Sequence, residues 1–246
     1  MRKKPCAKLW HINMIKLSLD GKYYYSDIFP ESLFFTGFAT ALAGDSRNKE
    51  TTRKLIQKSE SDSISIVRPQ QTHSSNVALY EDAKSNIKDT DAVITNRQHV
   101  ALTVITADCV PIIYADLKNK SAAISHQGWM GLYGELPANV VADLCMQGSR
   151  TEDIIAAIGP AIGDCCYDIP KVRADLFGAH EVSFRDEKYY LNLTQVAYNQ
   201  LITAGLEKHN IDYRIFCTNC DTRFFSYRRS TDKGNFPEQC SFIMIN

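Results

Sequence analysis

The 246-residue sequence has no net charge: 28 Lys and Arg stand against 28 Asp and Glu. With no global field to draw the chain onto a polyanion, neither nucleic acid nor an anionic membrane is an expected partner. Long apolar runs are also missing, and none approaches the ~20 residues of a membrane helix. The N-terminus begins with basic residues, but Lys8, His11, Asn13 and Lys16 break up any apolar stretch that could serve as a signal peptide. The expected location is therefore cytoplasmic. Histidine is scarce, six in the whole chain, too few for the many imidazoles of a multinuclear copper site. Repeats and Pro- or Gly-rich linkers are lacking as well.

What is present is ordinary for a globular protein: 44% apolar and 23% charged residues. The length allows one large domain or two small ones. The polar stretches Asp45–Ser63 and Glu81–Asp91 do not mark a boundary, so one domain spanning residues 1–246 is expected, as a monomer or weak homo-oligomer. Eight cysteines in a chain of this length without a signal point to reduced thiols rather than a disulfide framework.

Hydrophobic patterning predicts strands at Ser63–Arg68, Asn76–Tyr80, Ala101–Thr106, Val110–Ala115, Ser121–Ser125, Ile154–Ile158, Tyr213–Cys217 and Cys240–Ile245. Helices are expected at Thr51–Lys58, Leu136–Met146, Pro170–Phe177 and Leu193–Ala204, the last ending at Gly205. Strands with interspersed helices give an α/β or α+β fold with mixed sheets.

Three segments place reactive side chains at strand ends, where sites are usually built. They are Gln71-Thr72-His73-Ser74, Thr106-Ala107-Asp108-Cys109 and His126-Gln127-Gly128-Trp129. If these ends converge, two imidazoles and a thiolate form a zinc set with a fourth position open to water. Each also has a plain reading: Cys109 as a small core residue, His73 as a solvent-facing turn residue, and the glycines near His126 as an ordinary turn. Cys217-x-x-Cys220 lacks a matching pair unless adjacent Cys165 and Cys166 supply it. Adjacent cysteines are awkward ligands, so reduced strand-end thiols are the expectation there. Arg223, Arg228 and Arg229 frame an aromatic run, suited either to phosphate and base or to a solvated edge.

Taken together, these segments resemble the YfiH/laccase-domain family, once called polyphenol oxidases and now also described as purine nucleoside phosphorylases. The likeness rests on QTHSSNV (71–77), DTDAVITNRQHVALTVITADCVPIIYAD (89–116), HQGWMG (126–131), AIGPAIGDCCYDI (157–169), YYLNLTQVAYNQL (189–201) and FFSYRR (224–229). The resemblance implies a metal site on His73, Cys109 and His126, holding zinc, with copper as the alternative. It implies a layered α/β/β/α sandwich similar to bacterial cysteine deamidases of the cytotoxic-necrotising-factor type. It further implies phosphorolysis of adenosine, inosine or methylthioadenosine, or deamination of adenosine, with nucleoside and phosphate as partners.

On that reading Asp108 moves protons, Arg53, Arg228 and Arg229 hold phosphate, with Arg47 a weaker choice, and Trp129 or Phe225 stacks the purine. Three departures stand out, one of them Thr52-Arg53 where the family often has Asn-Arg before a helix. Met130 replaces the family's usual arginine in H-x-G-W-R-G, and the tail after FFSYRR runs STDKGNFPEQC. The alternatives are a copper phenol oxidase and a Cys109–His126 amide hydrolase acting on peptidoglycan precursors.

Overall fold

The computed structural model describes residues 15–57, 63–214 and 216–246. The N-terminal segment read above, with Cys6 and His11, lies outside them, as does Lys58. Among the described residues no helix is long and apolar enough to cross a membrane. The first half of the chain runs β1 (Ile15–Leu17), β2 (Tyr23–Ser26), β3 (Phe34–Ala39), α1 (Lys49–Ile56), β4 (Ser65–Val67), β5 (Val77–Leu79), β6 (Ala92–Thr95), β7 (Val100–Thr106) and β8 (Val110–Asp116). Next come β9 (Ser121–Gln127), α2 (Trp129–Tyr133), α3 (Leu136–Met146), β10 (Ile154–Ile158), β11 (Asp168–Ile169) and α4 (Lys171–Ala174). The chain closes with β12 (Val182–Arg185), β13 (Lys188–Leu191), α5 (Leu193–Thr203), β14 (Ile211–Tyr213) and β15 (Gln239–Ile245).

Two six-stranded sheets form, ordered β1-β2-β3-β15-β7-β4 and β14-β10-β8-β9-β6-β5, with a small sheet β11-β13-β12 beside them. Both large sheets are mixed. Pairing is antiparallel except for β4–β7, β10–β14 and β5–β6. The sheets lie face to face, and side-chain alternation explains the layering. In β10, Ile155 and Ala157 point between the sheets, while Ile154, Ala156 and Ile158 point to the helices. In β8, Ile113 and Ala115 face the other sheet, and Val110, Ile112 and Tyr114 face the helical layer. Strands covered on both faces read as continuous apolar runs, as these do.

α3 and α5 cover the outer face of the second sheet through Leu136, Val140, Leu144, Val196 and Leu201. α1 covers part of the first sheet's outer face, where Ile56 meets Ala101, Phe242 and Met244. Its N-terminus is capped by Asn48, whose side chain accepts from the Glu50 amide at 2.9 Å. The order helix, sheet, sheet, helix is the expected α/β/β/α sandwich. Ile154–Ile158 and Leu136–Met146 lie where the pattern places them, and other predicted elements shift by a few residues. The strand expected at Tyr213–Cys217 instead ends at Tyr213, with Cys217 held by an isolated bridge to Ala161. Strands β1, β2, β3, β6, β11, β12 and β13 and the short helix α2 were not anticipated.

Candidate functional site

Two crossovers between the sheets build the site at a single edge. The chain leaves β4 in the first sheet and enters β5 in the second through residues 68–76; it passes from β7 to β8 through Ala107, Asp108 and Cys109. In the antiparallel β8–β9 pair, Pro111 stands opposite His126 and Val110 opposite Gln127. One residue further, that register sets Cys109 against Gly128. The three predicted strand ends therefore converge, and the ligand atoms of His73, Cys109 and His126 lie within 4.8 Å of one another. Cys109 Sγ is 3.8 Å from His73 Nε2.

Local backbone explains this closeness. His73 (φ 62°) and Asp108 (φ 91°) both adopt positive φ, turning the chain sharply at each crossover. A Cβ on Gly128 would stand 2.6 Å from His73 Cδ2 and 3.4 Å from Cys109 Sγ, so only glycine leaves room for the imidazole. Gln71 fixes the first crossover to β7: its side chain donates to the Ile105 carbonyl at 2.8 Å and accepts from the Ile105 amide at 2.9 Å.

Asp91, which the sequence reading missed, organises the centre. Its Oδ1 lies 2.7 Å from His126 Nδ1. Its Oδ2 accepts from the Thr72 amide at 3.0 Å, the Ser74 amide at 2.6 Å and Ser74 Oγ at 2.8 Å. One carboxylate thus orients His126 and braces the turn that carries His73. Burial opposes ionisation of Asp91, but His126 and these donors outweigh it and hold the carboxyl at about 2. Burial likewise disfavours a charged His126, yet Cys109 and Asp91 push the imidazole up to about 10. Burial would raise the Cys109 thiol; His126 and His73 bring it down to about 7. A nitrogen, nitrogen, sulfur set with a carboxylate behind one imidazole fits zinc or copper. Tetrahedral zinc would space its sulfur and nitrogen ligands about 3.6 Å apart, close to the observed separation.

A cavity of about 710 Å³ lies over these residues. Its walls include Trp129, Tyr167, Tyr227 and Phe236, with Arg68, Arg173 and Arg228 as cations and Glu238 as a carboxyl. Several expectations are corrected here. Arg53 is exposed on α1, 3.9 Å from Glu50, and does not line the cavity. Arg68 does line it; its Nη2 donates to Thr52 Oγ1 at 2.7 Å, and its buried Nε has no hydrogen-bond partner. Arg229 turns away to the carbonyls of Thr218, Asn219 and Phe224. Arg47 is tied to Asp45 and Asn235.

Arg228 does line the cavity, but its guanidinium is engaged by Asp168 and by the Cys166 carbonyl. Phe225 is not in the wall; Tyr227 and Phe236, with centroids 4.9 Å apart, provide the aromatic surface. Trp129 lines the cavity with the Arg173 guanidinium 4.2 Å from its ring centre. Asp108 also lines it, but its carboxylate accepts from Thr218 Oγ1 at 2.5 Å and the Arg228 amide at 2.6 Å. Both Asp108 oxygens are thus engaged in bracing the segments that carry Thr218 and Arg228. Burial raises the Glu238 carboxyl, which also lines the cavity. Neither Arg68 nor Glu238 falls in a reactive segment of the sequence: each sits beside a proline, in Arg68-Pro69 and Pro237-Glu238, with no motif to mark it.

The family model for multi-copper polyphenol oxidoreductase laccases matches residues 39–246. The chain belongs to this family. Among curated members, it is 31% identical over 207 residues to mouse purine nucleoside phosphorylase LACC1, covering 80% of this chain and 47% of that protein. The chain thus spans about half the length of the mouse relative. It is also 31% identical to adenosine deaminase RL5 from an unknown prokaryotic organism, over 67% of this chain and 70% of that one. The Bacillus licheniformis protein YfiH superposes with TM-score 0.82 at 25% identity, covering 95% of this chain and all of that one. YlmD of Geobacillus stearothermophilus gives TM-score 0.82 at 22% identity, over 95% of this chain and 99% of its own.

Proposed function

We propose that the chain is a metal-dependent enzyme that cleaves purine nucleosides with phosphate in the cavity above His73, Cys109 and His126. The observation that carries this reading is the cavity itself. It combines an aromatic wall, guanidiniums from Arg68 and Arg173, a raised carboxyl on Glu238 and a three-donor metal set. The names of the mouse and prokaryotic relatives support the substrate class, with adenosine deamination as a companion activity.

His73, Cys109 and His126 would hold zinc, or copper in its place. Bound there, such an ion supplies Lewis acidity at the cavity floor. The protein's own groups account for the rest. Tyr227 and Phe236 offer faces to the purine. Arg68 and Arg173 attract phosphate into a cavity where Met130 has removed the family's usual cation. In phosphorolysis a phosphate oxygen bonds to C1′ as the C1′–N9 bond breaks, and the departing purine takes a proton, for which Glu238 is placed in the wall.

The decisive assay incubates adenosine and inosine with the purified protein, with and without phosphate, beside Cys109→Ala, and separates the products by chromatography. Phosphate-dependent release of free base, lost in the variant, is expected. Turnover of neither nucleoside would remove the purine reading.

One specific observation favours a second reading. Cys109, His126 and Asp91 also stand in the order of a nucleophile, its base and the base's orienting carboxylate. Iodoacetamide labelling of Cys109 in the purified protein separates the two. Protection that a chelator removes supports the metal; labelling that the chelator leaves unchanged supports an amide hydrolase. For phenol oxidation the observations are poorer. Among the described residues neither donor cluster holds more than two imidazoles, short of a multinuclear copper site.

A further inference from the structure

A second set of donors stands outside the His73, Cys109 and His126 centre. Cys165 and Cys166 lie in the turn between β10 and β11, and Cys217 and Cys220 lie beyond β14. Adjacent Cys165 and Cys166, awkward as ligands on sequence alone, are carried by the fold to Cys217 and Cys220: all four sulfurs lie within 4.8 Å of one another. Cys220 Sγ is 3.3 Å from Cys166 Sγ and 3.8 Å from Cys165 Sγ. None of the four forms a disulfide, which would need sulfurs about 2.05 Å apart. Tetrahedral zinc, with Zn–S near 2.3 Å, spaces its sulfurs about 3.8 Å apart. The separations lie near that second value. They leave room for a single ion and are too tight for a polynuclear iron–sulfur cluster, whose inorganic sulfides push the thiolates apart.

The backbone is shaped around these sulfurs. A Cβ on Gly163 would stand 3.2 Å from both Cys165 Sγ and Cys217 Cβ, crowding the cluster. The Cys220 amide donates to the Cys217 carbonyl at 3.0 Å, closing a tight turn between these two cysteines. The two loops are locked in register by the Ala161–Cys217 bridge and by the Thr218 amide on the Ala161 carbonyl at 3.0 Å.

Charge complements the arrangement. Four thiolates around a divalent ion leave two negative charges in excess. Three guanidiniums gather on the carbonyls of these same loops: Arg185 on Asp164, whose carboxylate it also approaches at 3.8 Å, Arg228, which Asp168 also holds, on Cys166 at 2.9 Å, and Arg229 on Thr218 and on Asn219 at 3.0 Å.

We propose that Cys165, Cys166, Cys217 and Cys220 hold one zinc ion in a four-thiolate structural site that pins residues 161–168 to residues 217–229. The pinned segments carry Tyr167, Arg228 and the amide that braces Asp108, so the ion fixes one wall of the cavity. This site stands independently of the nucleoside reading.

The test measures metal content in the purified full-length Cys109→Ala protein, where the other centre has lost its sulfur ligand. One zinc per chain is expected, and Cys217→Ser and Cys220→Ser made in that background should lose it. Because such variants can fold poorly, the unsubstituted protein is also treated with N-ethylmaleimide and mapped by mass spectrometry. The four cysteines should be protected as purified and become labelled together once zinc is removed with a chelator; zinc added back should protect them again. Absence of zinc from the Cys109→Ala protein, iron in its place, a disulfide among the four, or labelling indifferent to zinc would each overturn the site. Failure of the nucleoside assay would leave it standing.

Discussion

At the residue scale the most consequential side chain is Asp91. It is fully buried, and its carboxylate serves both the imidazole of His126 and the turn carrying His73. A carboxylate behind a metal-binding imidazole fixes its tautomer and strengthens it as a ligand, and loss of such a partner costs ~10–100-fold in affinity. Asp91→Asn keeps the shape and removes the charge. The expected result is zinc binding at His73, Cys109 and His126 weakened by about that factor. Competition with a chromophoric chelator, in a Cys220→Ser background that disables the second cluster, reads it directly. Unchanged affinity would mean that Asp91 only braces the turn. His73, Cys109 and His126 were legible because each sits in a short polar interruption at the end of an apolar strand. Asp91 was not, since it reads as the last residue of the polar stretch Glu81–Asp91; its role depends on donors from Thr72, Ser74 and His126, which sequence distance hides.

At the element scale, the site exists because two crossovers meet one hairpin. The β8–β9 register sets Gly128 against Cys109, and His73 fills the space that a side chain on Gly128 would occupy. Gly128→Ala drives a methyl to 2.6 Å from His73 Cδ2. His73 is exposed on its turn, so its ring can swing outward without disturbing the core. The expected outcome is a melting temperature within about 4 °C of the unsubstituted protein, equivalent to less than ~1 kcal/mol for a domain of this size. Metal bound at His73, Cys109 and His126, and the proposed activity with it, should fall at least tenfold. Thermal unfolding beside metal analysis separates this from general destabilisation; a large melting loss with metal retained would contradict it.

The doubly covered strands were the most legible elements, because Ile154–Ile158 and Val110–Asp116 present apolar side chains to both layers. β2 and β3 were harder to read. Their aromatic residues, such as Tyr23, Phe35 and Phe38, pack across strands, with Tyr23 5.6 Å from Phe242, a partner more than two hundred residues away. The four-cysteine cluster was half legible: the two pairs could be named from the sequence, but the contacts that join them, among them the Ala161–Cys217 bridge, lie more than fifty residues apart in the chain.

At the scale of the whole molecule, stability depends on how the two large sheets meet, and one polar contact links them at an edge. Ser26 of β2 donates its hydroxyl to Asp212 of β14. Both residues are buried. Burial raises the Asp212 carboxyl above its ordinary value, against the Ser26 hydrogen bond, and the nearby Asp27 charge adds to the rise. The folded state therefore binds this proton more tightly than the unfolded chain. By linkage, the stability tied to the protonated group is fully present below the unfolded carboxyl value of ~3.9 and is lost as pH rises through the higher folded value. At neutral pH the molecule holds an ionised carboxylate in a place that favours a neutral one. Asp212→Asn supplies a neutral group of the same size that can still bond Ser26. Its melting temperature should exceed that of the unsubstituted protein at about pH 7, and the gap should narrow steadily toward about pH 3, where Asp212 is protonated in both states. Thermal unfolding of both proteins across that range measures it. A gap that stays constant with pH would assign the effect to packing, and a gap that widens toward acid would mean that the folded protein lowers the Asp212 carboxyl instead of raising it.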